Sequence, residues 1–131
     1  MKVLDATFLI DYLDGVEETA EYLLENENET FVFPGPAYAE ALVGEGNDPD
    51  GDVTEARADL SWGEVVAVDE ETAIMAGEIA NEIGSQGPFL SGMDGLIAAI
   101  GRELDAPVVS ADNDLTHPET KSVVEVEEYR N

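Results

Sequence analysis

The sequence predicts a single α/β domain, residues 1–131, built on a mainly parallel sheet. Short and nearly uninterrupted apolar runs recur along the chain, as expected of strands buried on both faces. Segments with helical spacing separate them, which is how parallel strands are joined. A length of 131 residues, 44% of them hydrophobic, suits one core. There is no internal repeat and no linker.

Lys2 to Asp5 reads as the first strand, and Thr7 to Leu13 as a helix closed by Asp14-Gly15. A second helix, Glu17 to Asn26, places Ala20, Leu23 and Leu24 on one face. Phe31-Val32-Phe33 is a short buried strand. Pro36 fits the first turn of the next helix, which runs to Gly44. Gly46 to Asp52 superficially suggests a calcium loop. Aligning Gly51 with loop position six, however, leaves Gly46 and Arg57 where acids are needed, so the segment reads as a solvated loop. Val53 to Ser61 is a short helix and Glu64 to Val68 a strand. Asp69 caps a helix to Gly84, with Ala73, Ala76, Ile79, Ala80 and Ile83 at helical spacing. Ser91 opens another, with Met93, Leu96, Ile97, Ile100 and Leu104 as its core stripe. Pro107 to Ser110 is a strand, Asp112-Asn113-Asp114 a turn, Val123 to Val126 a last strand, and Glu127 to Asn131 a polar tail.

Composition excludes several classes of function. With no cysteine and a single histidine, His117, there is neither a thiolate zinc site nor a histidine-rich one. His117, ahead of Pro118, reads as a loop residue. No apolar stretch approaches the roughly 18 residues that span a bilayer. Asp5 interrupts the N-terminal apolar run, arguing against a signal peptide, so the expected location is cytoplasmic. Five Lys and Arg against 31 Asp and Glu give a net charge of −26, and no basic patch can be assembled for nucleic acid. Such an excess often means disorder, but the regular apolar runs point instead to a folded protein adapted to a salt-rich interior. At about 1 M salt the Debye length is about 3 Å, which screens self-repulsion.

Four acids stand in or at the end of apolar runs: Asp5, Glu40, Asp94 and Asp112. Phe31 to Gly44 holds one acid and Pro88 to Gly101 holds one, where the chain average of 31 in 131 would place about three. Each has an ordinary explanation. Asp5 can cap the following helix, Ser91-Gly92-Met93-Asp94 has the pattern of a capping box, and Asp112 and Asp114 suit a turn. Glu40 is harder to explain, because its helical neighbours are Pro36, Ala37, Val43 and Gly44, an apolar face. Sites on open α/β sheets form beyond the carboxyl ends of strands, where these acids fall. Buried carboxylates repel unless something positive joins them. An all-oxygen site favours a hard ion, Mg²⁺ or Mn²⁺.

These residues resemble PIN-domain nucleases. Val3 to Ile10, with Asp5, is similar to the family's opening motif, and Pro36 to Val43, with Glu40, to its second. Asp94-Gly95-Leu96-Ile97-Ala98-Ala99 is similar to the third, and Val108 to Leu115, with Asp112 and Asp114, to the fourth. The resemblance spans residues 2 to 115. It implies a five-stranded parallel sheet flanked by helices and a divalent-metal-dependent ribonuclease. The small size resembles the VapC toxins of toxin–antitoxin pairs, implying a homodimer held inactive by a cognate antitoxin. Two features depart from the family pattern: Leu115 stands where an aromatic residue is common, and the surface is far more acidic.

On this resemblance Asp5, Glu40, Asp94 and Asp112 form the catalytic and metal-binding set. Asp5 and Asp94 ligate directly, while Glu40 and Asp112 act through water or orient the nucleophile. Asp114 is auxiliary, and the Thr7 and Ser110 hydroxyls fix carboxylate rotamers or contact phosphate. One ion would polarise the phosphorus and activate water, and if two bind, about 3.5–4 Å apart, the second would stabilise the leaving oxygen. Arg57 and Arg102 are candidate RNA contacts or surface ion pairs. Aspartyl-phosphate enzymes fit poorly, since Asp5-Ala6-Thr7 lacks their second acid. The remaining alternative is a catalytically silent PIN-like protein-binding module. The charge yields the first expected outcome: circular dichroism will show a cooperative fold in molar KCl that loosens in dilute buffer, and full cooperativity at low salt would refute the salt-adapted reading.

Overall fold

The computed structural model describes residues 1–131 as five parallel strands flanked by seven helices. In chain order these are β1 (Lys2–Leu4), α1 (Ala6–Leu13), α2 (Glu17–Glu25), β2 (Phe31–Pro34), α3 (Gly35–Asn47), α4 (Val53–Asp59), β3 (Glu64–Val66), α5 (Glu70–Ile83), α6 (Gly92–Glu103), β4 (Val108–Ser110), α7 (Pro118–Lys121) and β5 (Val126–Glu128). The strand order is β3-β2-β1-β4-β5. From β1 the chain steps outward to β3, then returns to the other side of β1 to lay down β4 and β5. The reversal falls between β1 and β4, where open sheets form a crevice at the carboxyl ends of their strands.

The central strands are apolar because both their faces are covered. Val3, Leu4, Val32, Phe33, Val108 and Val109 are all buried. The register sets Val3 against Val32 on one side and Val108 on the other, with Leu4 beside Val109. The edge strands β3 and β5 carry the exposed Glu64 and Glu128. Acids on an edge strand oppose pairing with another chain. α1 packs on α3, and α5 on α6. Small residues permit the closest approaches. A Cβ added to Gly101 of α6 would stand 2.6 Å from Val108 Cγ2 and 3.1 Å from the Ala106 carbonyl oxygen, so α6 lies against β4 only because position 101 has no side chain.

Several elements differ from the sequence expectation. α2 buries Thr19 and Tyr22, while Ala20 is exposed and Leu24 is 71% exposed. The helix turns to seat the Tyr22 ring against Phe8, centroids 5.8 Å apart, with its hydroxyl donating to Glu127. α3 continues past Gly44 to Asn47, and β3 ends at Val66 rather than Val68. Along α6 the packed stripe is Ile97, Ala98, Ala99 and Ile100, whereas Leu104 is partly exposed beyond the helix end. The last strand starts at Val126 rather than Val123, because its register is set by Val126 opposite Val108. The apolar Val123 and Val124 instead fill the turn after α7, itself capped by His117, whose Nδ1 accepts from the Glu119 amide. The tail is not simply polar, since Tyr129 is buried on Phe8, with centroids 4.8 Å apart.

Trp62, the only tryptophan, packs edge-on against Tyr12, Phe31 and Phe33 and reports unfolding by its fluorescence. In molar KCl, Gly101→Ala will destabilise the fold by about 1–3 kcal/mol, the usual cost of overpacking. Gly77→Ala, in the interior of α5 with nothing within 4 Å of the added Cβ, will stabilise it by about 0.5–1 kcal/mol. Equal effects from the two substitutions would refute the packing account.

Candidate active site at the carboxyl ends of β1 and β4

Asp5 follows β1 directly and is 1% exposed. It caps α1, with Oδ1 accepting from the Phe8 amide at 3.0 Å and from the Thr7 hydroxyl at 2.7 Å. Its Oδ2 accepts from the Ser110 hydroxyl at the end of β4. The two hydroxyls are themselves held, Thr7 Oγ1 accepting from the Ala111 amide at 3.1 Å and Ser110 Oγ from the Asp112 amide at 2.9 Å. One carboxylate and two hydroxyls therefore staple the start of α1 to the loop after β4. Burial pushes the Asp5 carboxyl up to about 6; the charge of Asp112 adds to this, and the Ser110, Thr7 and Phe8 donors oppose it.

Asp112 does hold the turn after β4. Its Oδ2 accepts from the amides of Asp114 and Leu115, both at 3.0 Å, which leaves Oδ1 free. Asp94 lies in the first turn of α6, where the Ser91 hydroxyl caps the helix by accepting from the Asp94 amide at 3.0 Å. A reciprocal capping box forms at α5, between Asp69 and Thr72, but not at α6. The Asp94 carboxylate instead belongs to a group with Asp112 and Asp114, one oxygen of each lying within 4.8 Å of the others. Burial pushes Asp94 up to about 6, with the charges of Asp112, Asp114 and Glu40 adding to the effect and the Ser91 hydroxyl opposing it.

Asp5, Glu40, Asp94 and Asp112 line one cavity of about 330 Å³, together with Thr7, Ser91 and the apolar Ile10, Met93 and Ile97. No basic side chain lines it. Glu40 differs from expectation in its exposure: the buried positions of α3 are Ala37 and Ala41, and Glu40 is exposed. Of its apolar helical neighbours only Ala37 is in the core, and Val43 is exposed, so Glu40 stands at the edge of the helix's buried face. Ser110 stands behind Asp5, and Asp114 is exposed yet belongs to the tightest carboxylate group. The sequence offered Asp114 as auxiliary, and the Asp-x-Asp spacing across the turn is the signal for it.

The donor set suits a hard divalent ion. Every donor is a carboxylate oxygen, and oxygens within 4.8 Å of one another would each have to close by up to about 0.7–1 Å to share one ion at the Mg–O distance of about 2.1 Å. Of the two basic residues read as RNA contacts, Arg102 is committed to Glu82 and to the Val123 carbonyl. Arg57 is exposed and forms no ion pair.

The PIN-domain family profile matches residues 2–121. No curated protein matches the chain by sequence. Among solved structures, a toxin–antitoxin complex from Klebsiella pneumoniae superposes with a TM-score of 0.78 at 17% identity, covering 100% of this chain and 99% of that one. DNA-bound VapBC from Salmonella typhimurium gives 0.79 at 21% identity, covering 98% of each chain. VapC20 from Mycobacterium tuberculosis, a toxin that cleaves the sarcin–ricin loop, gives 0.66 at 13% identity over 95% of this chain and 96% of that one. These likenesses establish the fold.

The raised carboxyls make the metal-free site a source of instability at neutral pH. A carboxyl near 6 in the folded state, against 3.8 ordinarily, binds its proton more tightly folded than unfolded. That contribution is complete below about pH 3.8 and is lost as pH rises through about 6. Asp94→Asn will therefore stabilise the metal-free protein at pH 7.5 by about 1 kcal/mol, after allowance for solvent screening at a half-buried group. The gain will vanish by pH 4. Thermal melts of both proteins in molar KCl at the two pH values provide the check, and a destabilised variant at pH 7.5 would overturn this account.

Proposed function

The chain belongs to the PIN-domain family, and we propose that it is a divalent-metal-dependent ribonuclease, hydrolysing RNA phosphodiester bonds at the acidic cavity between β1 and β4. The observation that carries this reading is the convergence of carboxylates from four separate parts of the chain on one cavity without a cation. Asp94, Asp112 and Asp114 are the proposed ligands of a Mg²⁺ or Mn²⁺ ion. When bound, the ion supplies positive charge that draws in the phosphate, polarises the phosphorus and favours ionisation of the attacking water. Asp5 lines the same cavity, a further ligand held in place by Thr7 and Ser110. Glu40, exposed at the rim, orients the water. The apolar Ile10, Met93 and Ile97 exclude bulk water from one side of the reacting centre, which strengthens electrostatic interactions within it.

The proposal extends to the toxin of a VapBC-type pair, acting in the cytoplasm as a homodimer with a cognate antitoxin. The full-length likeness to toxins solved in such complexes supports it. No helix is long and apolar enough to cross a membrane. We also read the surface as salt-adapted, on the net charge of −26. Lys and Arg contacts to phosphate weaken as salt rises, so metal–phosphate contact and shape carry most of the RNA affinity here.

The test is RNA cleavage in molar KCl with and without Mn²⁺, comparing the wild type with Asp94→Asn and Asp5→Asn. Cleavage will require Mn²⁺ and fall by about 10–100-fold or more in each variant, the usual effect of losing part of a metal site, while circular dichroism shows the fold intact. Normal metal-dependent cleavage by both variants would rule out this site. A folded wild type that cleaves none of several RNAs would favour a silent binding module.

A further inference from the structure

Cations are scarce in this chain, yet four of the five secure one short segment. Arg102 donates to the Val123 carbonyl at 2.6 Å, Lys2 to Glu127 at 2.6 Å, and Lys121 to Glu128 at 2.7 Å. Arg130 donates through Nε to Asp11 at 2.7 Å. All four fasten residues 123–130, and the last grips α1, the helix that Asp5 caps. Tyr129 reinforces that grip. Its hydroxyl donates to the same Asp11 oxygen at 2.6 Å, and its ring packs on Phe8. The Phe8 amide and the Thr7 hydroxyl are the two donors to Asp5 Oδ1.

We infer that Tyr129, acting through Asp11 and Phe8, is a positioning residue for the Asp5 carboxylate: the C-terminal segment sets where the start of α1 stands relative to the loop after β4. The inference rests on the proposed function in treating Asp5 as part of the metal-binding wall. Besides the backbone bond from the Asp5 amide to the Val109 carbonyl at 3.2 Å, the staple between the start of α1 and β4 runs through two hydroxyls, Thr7 and Ser110, and a small displacement of α1 lengthens both links. Apart from Tyr129 and Arg130, nothing in the C-terminal segment touches α1 by hydrogen bond or ion pair. Burial and the Asp11 partner keep the Tyr129 phenol protonated well above its ordinary range, so it remains a donor, and the Thr7 hydroxyl and Asp5 charge also act on it. Tyr22 offers an internal control. It makes the equivalent hydroxyl–carboxylate bond, to Glu127 at 2.8 Å, but fastens α2 instead of α1.

The test is amide hydrogen exchange on the metal-free protein in molar KCl, followed by Mn²⁺ titration. Tyr129→Phe keeps the ring and removes the hydroxyl. It will speed exchange of the Phe8 and Ala111 amides, which donate to Asp5 and Thr7, by about 3–10-fold. It will raise the Mn²⁺ dissociation constant by a similar factor, below the usual effect of a direct partner of a ligand. Tyr22→Phe will leave both readouts at wild-type values. Wild-type exchange at those amides in Tyr129→Phe, or equal acceleration in Tyr22→Phe, overturns the inference. Arg130→Gln, which leaves the ring in place and weakens the same grip, decides the matter should Tyr129→Phe not fold. A wild type that binds no Mn²⁺ refutes the metal reading, while the amide result still decides the positioning role.

Discussion

The hydrogen bond from Ser110 to Asp5 joins the two halves of the sheet at the point where the strand order reverses. Much of the site follows from it. Asp5 is buried because it sits between β1 and β4, and it tolerates burial because three donors reach it. Those donors come from both halves of the fold, so satisfying one carboxylate also sets the distance between α1 and the loop after β4. Asp112 then takes its position from the same loop, its amide on Ser110 and its carboxylate closing the turn. The site and the topology are thus held by one set of interactions.

The charge distribution shows the same economy. A chain of net charge −26 has too few cations to neutralise its surface, and four of its five lie where the last strand needs fastening. Lys2, Lys121 and Arg130 pair with acids across β5 and its neighbours, and Arg102 satisfies the carbonyl of Val123. None is spent on the acidic cavity. Exposed pairs contribute little individually, but here their placement matters more than their sum. They pin the edge strand that completes the sheet and leave the site without an internal counterion.

The architecture was legible because its signals are local. Continuous apolar runs marked the buried strands, and Asp69 and Ser91 marked the starts of α5 and α6. The acids could be picked out because apolar segments each retained only one. What was not legible depends on contacts between distant parts of the chain. Leu24 has the same local pattern as Leu23, and only the seating of Tyr22 on Phe8 decides which faces inward. The start of β5 is fixed by pairing with β4, so the valines before it gave a misleading boundary. Glu40 has apolar helical neighbours, yet Val43 is exposed and only Ala37 is buried, a distinction that needs the packing of α3 to be known. Tyr129 lay in a segment whose composition reads as tail, and its role follows from Asp11, 118 residues away.

The ordinary explanations for each acid are realised together with their shared location. Asp5 is a helix cap, Asp112 a turn former, and Asp94 donates its amide to a cap. These roles use one oxygen or the backbone and hold the residue still. The hydrogen bonds that make each acid look structural therefore also pre-position its carboxylate, so that little reorganisation is needed when charge arrives. The cost is chiefly desolvation, with repulsion added, visible in Asp5 and Asp94, which burial first and neighbouring acids second raise to about 6. A protein selected for stability alone would replace one of these groups, since uncompensated like charges in a half-buried cavity favour unfolding. Keeping them, and keeping every cation away, makes sense if the compensating charge is supplied from outside the chain.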